Sequence, residues 1–188
     1  MKRAVILHGT GGSPEGNWFP WLKGKLEAHG YEVWVPALPG NLTPNRRIYN
    51  DFLFDAKWDF NDNLIIGHSS GAVSILNLLS DARCPRIKTG VLVGAWSHTD
   101  DTELDRNQFQ DLFPPNGFDF DIIKSKADHL LFMHGDDDPN CPVEQAKWLA
   151  EQTGSEIIIV PNGGHLNQMT GFTKLPQLIN TLEEHSWL

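Results

Sequence analysis

A serine in a sharp turn between a strand and a helix is the residue of this chain best suited to chemistry. Residues 63–71 read Asn-Leu-Ile-Ile-Gly-His-Ser-Ser-Gly, in which an apolar run enters a Gly-x-Ser-x-Gly turn centred on Ser69. The next residues, Ala72–Ser80, are typical of a helix. Such a turn needs glycine at both ends because a Cβ facing the nucleophile would be crowded, and the serine hydroxyl then projects from the sheet edge. This context favours a nucleophilic serine.

The backbone at the start of this helix favours negative charge. The amides of Ser69 and Ser70 lie in the predicted first turn, where N–H groups have no partner within the helix and the helix dipole is positive. Negative charge develops on the substrate oxygen when a nucleophile attacks a carbonyl. The turn is therefore suited to acyl transfer, with the Ser70 amide as one donor to the oxyanion.

Two later loops carry the residue types that such a serine needs. A serine hydroxyl requires a base, and a histidine base requires a third group that fixes its tautomer. Asp136–Asp138 follow the fifth predicted strand, and His165 follows the sixth after Pro161-Asn162-Gly163-Gly164. Open α/β sheets place their sites at the carboxyl ends of strands, so these loops are expected beside Ser69.

Six short apolar runs predict the strands that would bring these loops together. The strands are predicted at Arg3–Leu7, Glu32–Val35, Leu64–Ile66, Gly90–Val93, His129–Met133 and Glu156–Val160, and the helices at Trp18–His29, Asn45–Trp58, Ser70–Ser80, Val143–Gln152 and Thr173–His185. Apolar strands that alternate with helices indicate a mostly parallel sheet covered by helices on both faces. The fold class is therefore α/β, in a single domain over residues 1–188.

The segment Ser97–Ser125 interrupts this alternation. It contains Asp100, Asp101, Glu103, Asp105, Asp111, Asp119 and Asp121, together with Phe109, Phe113, Phe118 and Phe120. We expect one or two helical turns and a loop over the active edge, without a separate lid domain. The phenylalanines either line a substrate pocket or only seal the sheet edge. Trp18, Trp21 and Trp96 also border the predicted active edge, where Trp96 follows the fourth strand and is a candidate pocket wall. Trp18 and Trp21 either line the pocket or only pack their helix on the sheet.

These motifs together resemble the α/β-hydrolase fold, and most closely the retinoblastoma-binding-protein-type, or YdeN-type, family of small serine hydrolases. The matching residues are Gly67–Ala72 at the turn, Asp137–Pro139 after the fifth strand, and Gly163–His165 with Asn167 just beyond. The order serine, aspartate, histidine is also the one expected for this architecture. The resemblance implies Ser69 as nucleophile, His165 as general base and acid, and Asp138 as orienting carboxylate, with Asp136 as the weaker candidate.

The resemblance also implies an oxyanion loop and a reaction. The segment His8-Gly9-Thr10-Gly11-Gly12 resembles the family's oxyanion loop, which implies that the Thr10 amide joins the Ser70 amide. The implied activity is cleavage of a carboxylic ester, thioester or amide of a small-molecule or peptide substrate through an acyl-enzyme. Members of this family are also described as protein-interaction partners. The alternative is therefore an interaction module on a hydrolase scaffold, with a protein partner and little or no catalysis.

Charge and composition argue against several other classes. The net charge of −9 disfavours nucleic acid and anionic membrane surfaces. No stretch is long enough to span a membrane, and the first strand does not read as a signal peptide. With only two cysteines, Cys84 and Cys141, which we expect to be reduced, a cytoplasmic location is predicted.

Cofactor and metal motifs are incomplete. Pro14 stands where the third glycine of a dinucleotide-binding loop belongs, and no cofactor is expected. The aspartates at 136–138 have no histidine or glutamate at ligand spacing, so no metal is expected. Seven histidines are assigned no direct chemistry: backbone bonding is expected for His8 and His68, a core position for His134, and surface positions for His29, His98, His129 and His185.

Overall fold

Strands and helices alternate along the chain in a computed structural model that describes residues 1–99 and 103–188. The strands are β1 Lys2–Leu7, β2 Tyr31–Trp34, β3 Leu64–His68, β4 Ile87–Val93, β5 Ala127–Gly135 and β6 Glu156–Val160. The helices are α1 Phe19–Ala28, α2 Arg46–Asp55, α3 Ser70–Ser80, α4 Glu103–Phe109, α5 Phe120–Ser125, α6 Val143–Thr153 and α7 Pro176–Glu184, with a 3-10 helix at Gln168–Thr170. The α/β fold class predicted from the sequence is confirmed.

The six strands form one sheet in the order β2-β1-β3-β4-β5-β6. Every pair of neighbouring strands is parallel, whereas the sequence predicted a mostly parallel sheet. In register, Ile6 pairs with Ile66 and Gly67 pairs with Leu92. Because the strands run in one direction, the loops that follow β1, β3, β4, β5 and β6 all leave from the same edge of the sheet.

Apolar side chains on the two faces of the sheet form two separate cores. Val5 and Ile65 belong to the core that packs under α2, α3, α5 and α6, while Ile6 and Ile66 belong to the core under α1 and α7. Neighbouring residues of a strand point to opposite faces, so β1 and β3 supply both cores. Burial on both faces explains why these strands read as continuous apolar runs.

Several predicted boundaries move by a few residues. Helix α2 begins after Asn45, whose side chain accepts hydrogen bonds from the amides of Arg47 at 3.0 Å and Ile48 at 3.1 Å. Helix α7 begins at Pro176 and not at Thr173, since proline is suited to the first turn of a helix. Strand β4 begins at Ile87, three residues before the predicted Gly90. The sequence pattern missed this start because exposed Lys88 interrupts the apolar run.

The described part of the segment 97–125 contains α4 and α5 with loops around them. Phe109 packs edge-on against Trp96 with ring centroids 5.4 Å apart, and Phe120 packs likewise against Trp148 on α6 at 5.4 Å. Phe109 lines a pocket, whereas Phe120 packs on a helix, and the choice between the two alternatives stays a prediction. The predictions that fall on Asp100 and Asp101 lie outside the described residues. No helix in the described ranges is long and apolar enough to cross a membrane.

Candidate active site

Ser69 lies in a strained turn between β3 and α3. Its φ of 56° and ψ of −125° are unusual for a residue with a side chain, and its amide donates to the carbonyl of Val93 at 2.9 Å. A Cβ at Gly67 would lie 2.6 Å from the Ala72 nitrogen, and one at Gly71 would lie 2.6 Å from the His8 carbonyl oxygen. The glycines are needed because strand, turn and helix backbones approach too closely for any side chain.

The loop that carries His165 is tied to three parts of the protein. The carbonyl of His165 accepts a hydrogen bond from His68 Nε2 at 2.8 Å, and the next carbonyl, of Leu166, accepts one from Trp18 Nε1 at 2.9 Å. On the other side, the Gly164 amide donates to Asp137 Oδ1 at 2.7 Å. The imidazole, only 7% exposed, is thus presented from a loop whose backbone is held in place.

Asp138 is bonded directly to the His165 ring. His165 Nδ1 and Asp138 Oδ2 are 2.7 Å apart, and the Asp138 side chain has no solvent exposure. The other carboxylate oxygen accepts from the amides of Asn140 at 2.8 Å and Cys141 at 3.1 Å. Burial acts to raise the pKa of Asp138, but the hydrogen bond and charge of His165 and these two amides together hold the pKa below its ordinary value. The carboxylate is therefore ionised and positioned.

The three consecutive aspartates have three different partners. Asp136 Oδ1 accepts from the Asn162 amide at 2.7 Å, and Asp137 Oδ1 accepts from the Gly164 amide at 2.7 Å. Both bonds join the loop after β5 to the loop after β6. Only Asp138 is bonded to the imidazole, so its geometry fits the orienting role and that of Asp136 does not.

Thr10 and Ser70 meet beside the turn. Thr10 Oγ1 donates to Ser70 Oγ at 3.0 Å, which holds the loop after β1 against the start of α3. Among the described residues, neither the Thr10 nor the Ser70 amide donates a hydrogen bond to a backbone carbonyl outside helices and strands. The Ser70 amide is in the first turn of α3, where no partner within the helix exists. Two backbone donors are therefore available next to Ser69.

Ser69 and His165 lie between two pockets and line both of them. The larger pocket, of about 480 Å³, is also lined by Trp96, His98 and Gln145. The smaller pocket, of about 260 Å³, is also lined by the glycine loop at 9–12 and by Met169. No hydrogen bond joins Ser69 Oγ to the His165 ring in the described chain. The arrangement offers space on each side of the serine for the two parts of a cleavable substrate.

Three neighbouring histidines are held neutral by their surroundings. Burial lowers the pKa of His68 to about 3, with the positive charge of a protonated His165 ring as the second cause. Burial also lowers the pKa of His8, whose Nδ1 bonds to the Gly9 carbonyl at 2.9 Å and whose Nε2 accepts from the Leu38 amide at 2.9 Å. His134, whose pKa burial also lowers, donates from Nε2 to the Cys141 carbonyl at 2.8 Å. Each ring acts as a structural hydrogen-bonding group.

Sequence reasoning missed two features of the site. Gly94 follows β4 with a φ of +65°, and a Cβ there would lie 3.3 Å from His165 Cε1. His98, expected as an ordinary surface residue, is exposed but lines the larger pocket. Neither has a motif around it. In contrast, Trp18 is fully buried and packs α1 on the sheet, so it does not border either pocket.

One group of described side chains has ligand atoms close enough to hold a metal ion. It consists of Asp138, Cys141 and His165, whose ligand atoms all lie within 4.8 Å of one another. The carboxylate and the imidazole of this group are already bonded to each other, so a metal ion would compete with that bond. The expectation of no metal stays a prediction.

Comparison with known proteins agrees with this architecture. Residues 4–184 match the family described as Serine hydrolase. The chain is 30% identical to the hydrolase YdeN of Bacillus subtilis (strain 168) over 186 residues, which are 98% of this chain and 96% of that protein. It is 25% identical to the serine hydrolase RBBP9 of Rattus norvegicus over 96% of this chain and 95% of that protein. The crystal structure of the ydeN gene product from B. subtilis superposes with a TM-score of 0.82 at 27% identity, covering 98% of both chains.

Proposed function

Given that the chain belongs to the serine hydrolase family, we propose that it cleaves a carboxylic ester, thioester or amide through an acyl-enzyme. In this proposal Ser69 is the nucleophile, His165 the general base and acid, and Asp138 the carboxylate that orients the imidazole. The amides of Thr10 and Ser70 hold the oxyanion. The hydrogen bond between His165 Nδ1 and Asp138 Oδ2 at 2.7 Å carries the proposal, because it gives the base its tautomer.

The tautomer determines the direction of proton transfer. When Nδ1–H of a neutral His165 donates a hydrogen bond to Asp138, the lone pair of the imidazole is on Nε2. That nitrogen takes the proton of Ser69 Oγ as the oxygen bonds to the substrate carbonyl carbon. The same proton then passes to the leaving alcohol, thiol or amine, and the acyl group stays on Ser69. Water repeats the two transfers, which releases the acid and restores the serine.

The approach of Ser69 to the base completes the site. Catalytic hydrogen bonds are often long in a free enzyme and shorten in the complex with substrate. We therefore propose that the bond from Ser69 Oγ to His165 Nε2 forms when substrate enters. The ionised, buried Asp138 then stabilises the imidazolium that results.

The two pockets separate the two parts of the substrate. A substrate with its carbonyl carbon at Ser69 Oγ must extend on one side as the acyl group and on the other as the leaving group. The pockets of about 480 Å³ and about 260 Å³ both include Ser69 and His165, so each provides room for one of these parts. We propose a substrate of modest size in this arrangement.

The test of this function is turnover of an activated aryl ester by Ser69→Ala and His165→Ala. Each substitution removes a group on which bond making depends, so kcat should fall by about four orders of magnitude or more. Ser125→Ala is the matched control, because among the described residues the Ser125 hydroxyl bonds only to the Ile122 carbonyl on α5. The kcat of this variant should not change. Near wild-type turnover by either Ser69→Ala or His165→Ala would contradict the mechanism.

The same experiment also tests the alternative of a protein-interaction module. A protein-interaction module without catalysis would have no need for a buried carboxylate bonded to an imidazole beside a strained serine. An inactive but folded wild-type protein would favour that alternative. A cytoplasmic location and a single domain over residues 1–188 are likewise part of the proposal.

A further inference from the structure

The side-chain amide of Gln145, on α6, holds the loop that follows β4. Its Oε1 accepts from the Ser97 amide at 2.9 Å, from the His98 amide at 3.2 Å and from Ser97 Oγ at 3.1 Å. Only an oxygen can accept from two backbone N–H groups, so the orientation of the amide is determined. Its NH2 group is then the end that has no hydrogen bond to any described residue, in a side chain that lines the larger pocket.

One tautomer of His98 satisfies all of these bonds at once. The Ser97 hydroxyl has a single proton, and in this arrangement it donates to Gln145 Oε1 at 3.1 Å. The contact of the hydroxyl with His98 Nδ1 at 2.8 Å is then also a hydrogen bond only if Nδ1–H donates to the hydroxyl oxygen. In a neutral imidazole this leaves the lone pair on Nε2. His98 and Gln145 together form one wall of the larger pocket. This wall offers one acceptor, His98 Nε2, and one donor, the Gln145 NH2 group.

The other described residues that line this pocket carry no formal charge from Lys, Arg, Asp or Glu. Trp96 and Phe109 supply aromatic surface next to His98. Against this described lining, a charged group would lose hydration without gaining an opposite charge. An uncharged polar group that both donates and accepts hydrogen bonds would satisfy both His98 Nε2 and the Gln145 NH2 group.

We propose that His98 and Gln145 select substrates that carry an uncharged hydroxyl or carboxamide group on the part that occupies the larger pocket. This inference rests on the proposed hydrolase function and gives it a substrate class. Ser97 acts as a positioning residue, because its hydroxyl holds the His98 tautomer. A purely apolar acyl or alkyl group would leave the donor and the acceptor unpaired at the wall.

The test uses matched pairs of activated esters that differ only in a terminal hydroxyl against a methyl group. One pair varies the acyl chain and the other varies the alcohol, since either part could occupy the larger pocket. A net gain near one hydrogen bond of ordinary strength corresponds to about a five- to tenfold preference in kcat/KM for the hydroxyl ester in one pair. The readout is this ratio, which a general loss of stability does not change.

Substitutions at the wall separate recognition from packing. His98→Phe keeps an aromatic ring without the acceptor and should bring the ratio close to one. Ser97→Ala should lower the ratio, and Ser97→Thr, which restores the hydroxyl, should recover it. His185→Gln is the control that should leave the ratio unchanged, because His185 bonds to Glu156 outside both pockets.

Two results would overturn the inference, and they are distinguishable from failure of the proposed function. If the wild type hydrolyses both esters of each pair at equal kcat/KM, the wall does not select a polar group. If a preference exists but is the same in His98→Phe, some other group produces it. If Ser69→Ala hydrolyses the esters as fast as the wild type, the serine mechanism itself is wrong and this inference is lost with it.

Discussion

Replacing Gly94 by alanine perturbs the position of the His165 ring without removing any catalytic group. Gly94 has a φ of +65°, and a Cβ there would lie 3.3 Å from His165 Cε1, 3.5 Å from His165 Nδ1 and 3.9 Å from Asp138 Oδ2. Carbon atoms in favourable contact are about 3.5–4.0 Å apart, so the ring must move by a few tenths of an ångström. The movement acts on the same ring whose Nδ1 is bonded to Asp138.

The size of the effect follows from two separate costs. The left-handed backbone conformation costs alanine about 1–2 kcal/mol of folding stability. If a misplacement of about 1 Å costs about 100-fold in rate, a shift of a few tenths of an ångström costs about fivefold in kcat/KM. Gly154, the residue after α6, provides the control, since its φ is +64° and a Cβ there would meet nothing within 4 Å.

The assay combines urea unfolding with ester hydrolysis. We expect Gly94→Ala and Gly154→Ala to lose similar free energies of unfolding, because both pay the same backbone cost. Only Gly94→Ala should lose activity. Equal activity in the two variants, under conditions where both are folded, would mean that the imidazole does not need the space left by Gly94.

Two further predictions concern charges around the site. Asp138→Asn should lower kcat by about four orders of magnitude, because the asparagine stabilises the wrong His165 tautomer. Asp136→Asn should keep most of the activity. The reverse result in ester hydrolysis would assign the orienting role to Asp136. The pKa of His68 is about 3 in the folded protein, against 6.5 ordinarily. Between these two pH values the unfolded chain therefore binds more protons than the folded protein. The free energy of unfolding falls as pH drops through that window, by at most about 1.4 kcal/mol per pH unit. His68→Gln should lose less stability than the wild type in urea unfolding between pH 6.5 and 4.5, and equal slopes would contradict this cause.

The turn around Ser69 could be predicted from the sequence because its constraints are local. The close approach of backbones requires Gly67 and Gly71, and both glycines lie within two residues of the serine. Strand β3 and helix α3 directly flank this turn, and the predicted start and end of α3 agree with the structure. Local steric requirements of this kind leave a pattern that is visible in a few consecutive residues.

The choice among the three aspartates depends on the fold. Asp136, Asp137 and Asp138 are adjacent in sequence, yet their side chains bond to Asn162, Gly164 and His165 respectively. These partners lie on a different loop, so no spacing within the aspartate run can distinguish them. The resemblance to known hydrolases, and not the run itself, favoured Asp138.

The wall of the larger pocket has no signal in the sequence. Gln145 contacts Ser97 from 48 residues away, and the two elements meet only because β4 and β5 are neighbours in the sheet. A glutamine on a helix and a histidine after a strand are both ordinary surface residues when read alone. The contact between Gly94 and His165 is non-local in the same way. Features made by loops from different strands therefore required the structure.

The proposed mechanism requires that Ser69 be a nucleophile activated by His165, and labelling with a fluorophosphonate probe followed by mass spectrometry measures this activation. The wild type should be modified on the single peptide that contains Ser69, and folded Ser69→Ala and His165→Ala should show no such modification. Labelling at another residue, or equal labelling of Ser69 in folded His165→Ala, would contradict the proposed mechanism.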